Sequence, residues 1–83
     1  NEADAVAQAN ATRFGLGASI WTEDLEKGEA ILRQIDVGNG FVNAQVASDI
    51  RMPFGGVKAS GLGRELGISG IREFCNTKSL WVA

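Results

Sequence analysis

The stretch Pro53-Phe54-Gly55-Gly56-Val57-Lys58-Ala59-Ser60-Gly61-Leu62-Gly63-Arg64-Glu65 constrains this chain more than any other. Four glycines in thirteen residues give the backbone access to positive φ and to close approach of other backbone, freedoms that a core helix or strand does not use. The segment therefore reads as a shaped, ordered loop. The only proline of the chain fixes φ at its start and pushes Met52 toward an extended conformation. Phe54 then supplies one large apolar surface beside a pliable glycine pair. Such a residue either plugs a core or walls a pocket, and the residues alone do not separate the two.

A chain of 83 residues has room for one small unit, which buries only about 60–65% of its unfolded surface and is marginal by itself. Hydrophobic residues at 45% and charged residues at 22% are ordinary for a globular protein. No apolar run approaches the roughly 20 residues of a membrane span. The acidic start Asn1-Glu2-Ala3-Asp4 is unlike a basic secretory leader, so the chain reads as cytoplasmic.

The net charge of −2 conceals an asymmetry. Residues 1–50 carry eight acids and three bases, and residues 51–83 carry two acids and five bases, so the halves stand at −5 and +3. Solvated faces with ion pairs between the halves account for this, and a basic rim that attracts an anionic substrate is the sharper alternative. An acidic pI without a Lys/Arg cluster gives no footprint for nucleic acid. One cysteine and no histidine exclude an intrachain disulfide, a His/Cys metal cluster and an imidazole base within this chain. Cys75 follows Ile68 and Ile71 at i, i+3, i+7, so it reads as part of a helix's apolar stripe and not as a nucleophile.

Taken in order, residues 1–12 are alanine-rich and favour helix. Residues 14–21 form a plausible strand. Thr22 can cap a following helix, with Glu23 and Asp24 in its first turn and Leu25, Gly28, Leu32 and Ile35 on its buried face. Gly38-Asn39-Gly40 signals a turn, residues 41–46 a strand, and the chain from there to Glu65 a long loop. Leu66–Asn76 reads as a third helix and residues 78–82 as a terminal β-prone run, an exposed liability unless something pairs with it. The alternation of helix and strand makes the class α/β. Gly61-x-Gly63-x-x-x-Gly67 does not read as a dinucleotide fingerprint, because its spacing is off by one and no βαβ unit surrounds it.

The motif Pro-Phe-Gly-Gly-x-Lys-x-Ser-Gly-x-Gly-Arg-Glu resembles the C-terminal signature of the aldehyde dehydrogenase superfamily. The likeness continues through Gly40-Phe41-Val42-Asn43 upstream and Glu65-Leu66-Gly67-x-x-Gly70-x-x-Glu73-Phe74 with Lys78 downstream, covering nearly the whole chain. It implies that residues 1–77 are the C-terminal part of a catalytic domain and residues 78–83 a strand of an oligomerisation domain. A homodimer or tetramer follows from that strand. It also implies an NAD- or NADP-dependent parent that oxidises a small aldehyde through a cysteine thioester. The nucleophile, base and nucleotide-binding half then lie in the rest of the polypeptide, and this chain alone is inert.

Residue by residue, the resemblance implies that Phe54 lines the aldehyde channel. It implies that Glu65 borders the active-site cavity with a possible part in proton relay, beside its plain role as an acid at a helix start. The nine residues 44–52 correspond to the loop that shapes substrate selectivity, where many relatives carry an aromatic and this chain has Ser48. Ala47-Ser48-Asp49 is similar to succinate-semialdehyde dehydrogenases, in which the serine helps hold the substrate's distal carboxylate. Arg51 either adds a charge-assisted contact to that carboxylate, pairs with Asp49, or faces solvent. Lys58 and Arg64 resemble residues used in loop architecture. A free-standing interaction module that lends its terminal strand to a partner's sheet is the rival reading.

Overall fold

The computed structural model describes all residues, 1–83, as three helices and four short strands. In chain order these are α1 (Glu2–Asn10), β1 (Phe14–Gly15), β2 (Gly17–Ile20), α2 (Leu25–Leu32), β3 (Asn39–Val42), β4 (Val57–Lys58) and α3 (Gly67–Glu73). β2 and β3 run parallel with α2 as their crossover, a βαβ unit in register Gly17 with Asn39 through Ile20 with Val42. β1 and β4 pair antiparallel, Phe14 with Lys58 and Gly15 with Val57. The α/β class expected from the alternation is thus the class observed.

Local chemistry explains most element ends. Asn1 caps α1 by accepting the Asp4 amide at 2.9 Å. Asp24, not Thr22, is the cap of α2 and accepts the Lys27 amide at 3.0 Å, while the Thr22 hydroxyl accepts from the Asp24 amide one step earlier. The helix starts two residues later than the Thr22 reading implies because Asp24 adopts the extended conformation that a cap requires. The Asn43 side chain prolongs the β2–β3 ladder. Its Oδ1 accepts from the Thr22 amide at 2.8 Å and its Nδ2 donates to the Thr22 carbonyl at 2.9 Å. Asn43 does so at a φ of 55°, a left-handed conformation that asparagine tolerates.

Four residues are buried, and all four are glycines: Gly15, Gly28, Gly56 and Gly70. What the chain buries within itself is backbone against backbone, with no apolar side chain fully enclosed. The expected stripe of α3 is present in the sequence but faces outward, with Ile68, Ile71 and Phe74 exposed and Cys75 a free, exposed thiol. The Cys75 sulfur donates to the Ile71 carbonyl. The core reading of Cys75 and the buried face assigned to Leu25 are therefore corrected. Both readings require a second apolar layer, and these residues do not supply one.

Residues 78–83 carry no strand, because no partner edge within the chain reaches them; Leu80, Trp81 and Val82 stand in solvent. The third helix ends at Glu73, three residues short of its expected end. The ion pairs also differ from expectation. Lys27 with Glu2 and Arg33 with Glu29 lie within the acidic half, and only the local Asp49–Arg51 contact crosses position 50. No helix is long and apolar enough to cross a membrane.

Candidate functional site

The glycine-laced segment is fastened at every turn. The Gly15 amide donates to the Ser60 hydroxyl at 2.8 Å, and Arg64 Nη1 donates to the carbonyls of Gly56 at 2.9 Å and Gly63 at 2.8 Å. Asn39 Nδ2 donates to the Gly55 carbonyl at 2.9 Å and to the Leu16 carbonyl at 3.2 Å, which ties the bend to the start of both parallel strands. The segment is also less of a loop than its composition suggests, since Val57 and Lys58 form β4. Lys58 Nζ reaches the Asn10 and Thr12 carbonyls just after α1, an architectural role as the sequence suggests.

Phe54 and Glu65 are brought together directly. Each backbone amide donates to the other residue's carbonyl at 2.8 Å, an isolated antiparallel bridge. Opposed residues in such a pair send their side chains to the same side, and both line an open cavity of about 480 Å³. Glu65 is exposed there, and Glu73 at the end of α3 and its C-cap Phe74 also line the cavity. Leu66, next to Glu65, sits at φ 65° and ψ 162°, a conformation that is essentially reserved for glycine and costs about 1–3 kcal/mol in other residues. Strain of this kind persists where surrounding structure over-determines it, here through the Phe54–Glu65 bridge and the Gly67 amide bonded to the Ile50 carbonyl at 3.0 Å.

A second, smaller cavity of about 220 Å³ is lined by Phe41, Ala47, Asp49, Met52 and Phe54, among others. Phe54 is half-buried and lines both cavities. Of the candidate substrate residues, Ala47 and Phe54 meet at this smaller cavity. Ser48 is exposed and borders neither cavity. Arg51 is fully engaged with Asp49: its backbone amide and Nε donate to Oδ1 at 2.9 and 3.0 Å, and its Nη2 donates to Oδ2 at 2.6 Å. These hydrogen bonds hold the Asp49 carboxyl well below the usual carboxylate range and raise the Arg51 guanidinium in return.

Sequence reasoning passed over Asn39, read only as a turn residue, whose signal was an amide between two glycines. Of the alternatives left open for Arg51, the pairing with Asp49 is the one observed. The Gly61–Gly67 segment follows the two-residue β4 and opens a seven-residue helix with no side-chain cap. Nor do three or more His, Cys, Asp or Glu side chains cluster as a metal site.

Comparison with known proteins agrees with this geometry. The chain is 51% identical over all its 83 residues to a probable succinate-semialdehyde dehydrogenase (NADP+) of Synechocystis, and spans 18% of that protein's length. It is 50% identical over 80 residues to succinate-semialdehyde dehydrogenase (NADP+) 1 of Mycobacterium tuberculosis, covering 96% of this chain and 18% of that one. Among solved structures, succinic semialdehyde dehydrogenase from Streptococcus pyogenes in complex with NADP+ superposes with a TM-score of 0.93 at 35% identity, over 99% of this chain and 18% of that one. An NAD+ complex of Mycobacterium tuberculosis aldehyde dehydrogenase gives a TM-score of 0.84 at 46% identity, over 89% of this chain and 15% of that one. With the aldehyde dehydrogenase family matched over residues 1–80, this chain belongs to that family.

Proposed function

We propose that this chain is the C-terminal part of an NAD(P)-dependent aldehyde dehydrogenase that oxidises succinate semialdehyde to the dicarboxylic acid. The chain spans about a fifth of the length of its curated relatives, so the cysteine that forms the thioester, its base and the dinucleotide site are assigned to polypeptide outside these residues. NAD or NADP supplies the hydride acceptor there. Residues 1–77 belong to the catalytic domain under this reading. Residues 78–83 form an oligomerisation strand, a role supported by the exposure of Leu80, Trp81 and Val82 and fitting a homodimer or tetramer. The exposed free thiol of Cys75 suits a reducing compartment, and the cytoplasm is the one we assign.

The observation that carries the reading is Phe54, an aromatic wall that lines two cavities and is bonded through its backbone to Glu65. A wall of this kind orients an aldehyde's chain, while Glu65, exposed at the larger cavity, is placed to exchange a proton with solvent as water enters the site. Ser48 is assigned to the substrate's distal carboxylate. It is flanked by Ala47 and Asp49 of the smaller cavity, and its hydroxyl acts in a pocket whose other walls come from the rest of the enzyme.

In the full-length enzyme, kcat/KM for succinate semialdehyde is expected to exceed that for butanal, an uncharged aldehyde of equal length. Equal values remove the substrate assignment. Ser48→Ala is expected to raise KM for succinate semialdehyde about tenfold with little change in kcat, as loss of one hydrogen bond to a charged group predicts. An unchanged KM refutes the role given to Ser48.

A further inference from the structure

Asp49 places a carboxylate on the wall of the cavity that Phe54 closes, one residue from Ser48. Left bare, that charge repels the distal carboxylate of an anionic aldehyde approaching the same loop, since like charges in a partly desolvated cleft are poorly screened. It is not left bare. Three donors of Arg51 close on its two oxygens, the backbone amide and the Nε and Nη2 that form one edge of the guanidinium. The Asp49 side chain is 38% exposed and that of Arg51 83%, so the acid faces the cavity and the base covers it from the solvent side. The Nε–Nη2 edge of the guanidinium is thereby committed to Asp49 and is not offered to a second carboxylate.

Resting on the substrate reading above, we propose that Arg51 is a positioning residue that acts through Asp49. It neutralises and orients the Asp49 carboxylate so that the selectivity loop does not repel an anionic aldehyde, and it does not itself bind the substrate's carboxylate. The loop gains a rigid turn from the pair, with the Met52 amide bonded to the Asp49 carbonyl at 3.0 Å just ahead of Pro53. The acid and base are thus one unit, and removing either alone leaves a net charge of known sign beside the pocket.

The test is a double-mutant cycle in the full-length enzyme, read as the ratio of kcat/KM for succinate semialdehyde to that for butanal. Arg51→Gln uncovers the Asp49 charge and is expected to lower the ratio about five- to tenfold, the effect of one uncompensated charge several ångströms away. The loss should shrink as ionic strength rises from about 0.01 to 0.5 M. Asp49→Asn frees the guanidinium and is expected to raise the ratio. The double variant Asp49→Asn with Arg51→Gln carries no charge at either place and should return to within about twofold of the wild type. A double variant that keeps the whole Arg51→Gln loss makes Arg51 a direct ligand and overturns the proposal, as does an Arg51→Gln enzyme whose ratio is unchanged. A wild-type enzyme without preference for succinate semialdehyde defeats the substrate reading instead, so the two failures are distinct.

Discussion

Taken by itself, the 83-residue chain is expected to unfold without a cooperative transition, to bind a hydrophobic dye at room temperature and to oxidise no aldehyde. The argument rests on what is and is not enclosed. Its four buried residues are glycines, and no apolar side chain is sequestered. Leu62, Phe74 and Trp81 are 101%, 91% and 93% exposed. Hydrophobic burial of roughly 25 cal/mol per Å² is the main term that offsets about 1–2 kcal/mol of backbone entropy per ordered residue, and here most of it is missing. The shape agrees: a radius of gyration of 16.2 Å and extents of 60 × 24 × 24 Å contrast with about 12 Å for a compact domain of this length. Calorimetry decides the matter. A sharp heat-absorption peak near 60 kcal/mol, at about 0.7 kcal/mol per residue, would show a self-sufficient core and refute the expectation.

The same missing layer explains which parts of the fold were legible in the sequence. Periodicity located α2 and α3 because that signal is local, whereas the turn signal placed β3 too late, at 41–46, where the strand is Asn39–Val42. Periodicity marks which face of an element is apolar, however, and not what will cover it. The Ile68–Ile71–Cys75 stripe was readable as a stripe and misread as a core, and the terminal run from Leu80 to Val82 was β-prone without a partner in the chain. Pairings across long sequence separations were hidden for a different reason. Phe54 meets Glu65 only after glycines at positive φ, such as Gly63 at 71°, reverse the chain between them, and Gly15 meets Val57 only across the whole βαβ unit. For the site, Phe54 and Glu65 were reached through the family signature and not through any spacing rule. Asn39, which holds Gly55 in place, was invisible because its partners lie sixteen and twenty-three residues away.

Gly38 is where those hidden pairings converge, and Gly38→Ala in the full-length enzyme is expected to abolish most activity. A Cβ at Gly38 would collide with the Gly55 carbonyl oxygen and stand 2.7 Å from the Gly55 carbonyl carbon and 3.1 Å from the Gly56 Cα. All three are backbone atoms, so no rotamer change relieves the overlap, and the Gly38 amide is itself fixed to the Gly15 carbonyl at 3.1 Å. Relief requires the bend carrying Phe54 to move off the β2–β3 pair, which breaks the Asn39–Gly55 bond and shifts the cavity wall. Overpacking of unyielding backbone is expected to cost about 3 kcal/mol or more of stability. A displacement of about 1 Å at an orienting wall is expected to lower kcat/KM about a hundredfold. Gly40→Ala is the matched control, because its Cβ would rest 3.4 Å from the end of the Leu32 side chain, in ordinary contact, and should cost under about 1 kcal/mol. Thermal midpoints and steady-state kinetics on succinate semialdehyde compare the two. If Gly38→Ala behaves like Gly40→Ala, the close backbone contact between the Gly38 turn and the Phe54 bend does not exist in the working enzyme.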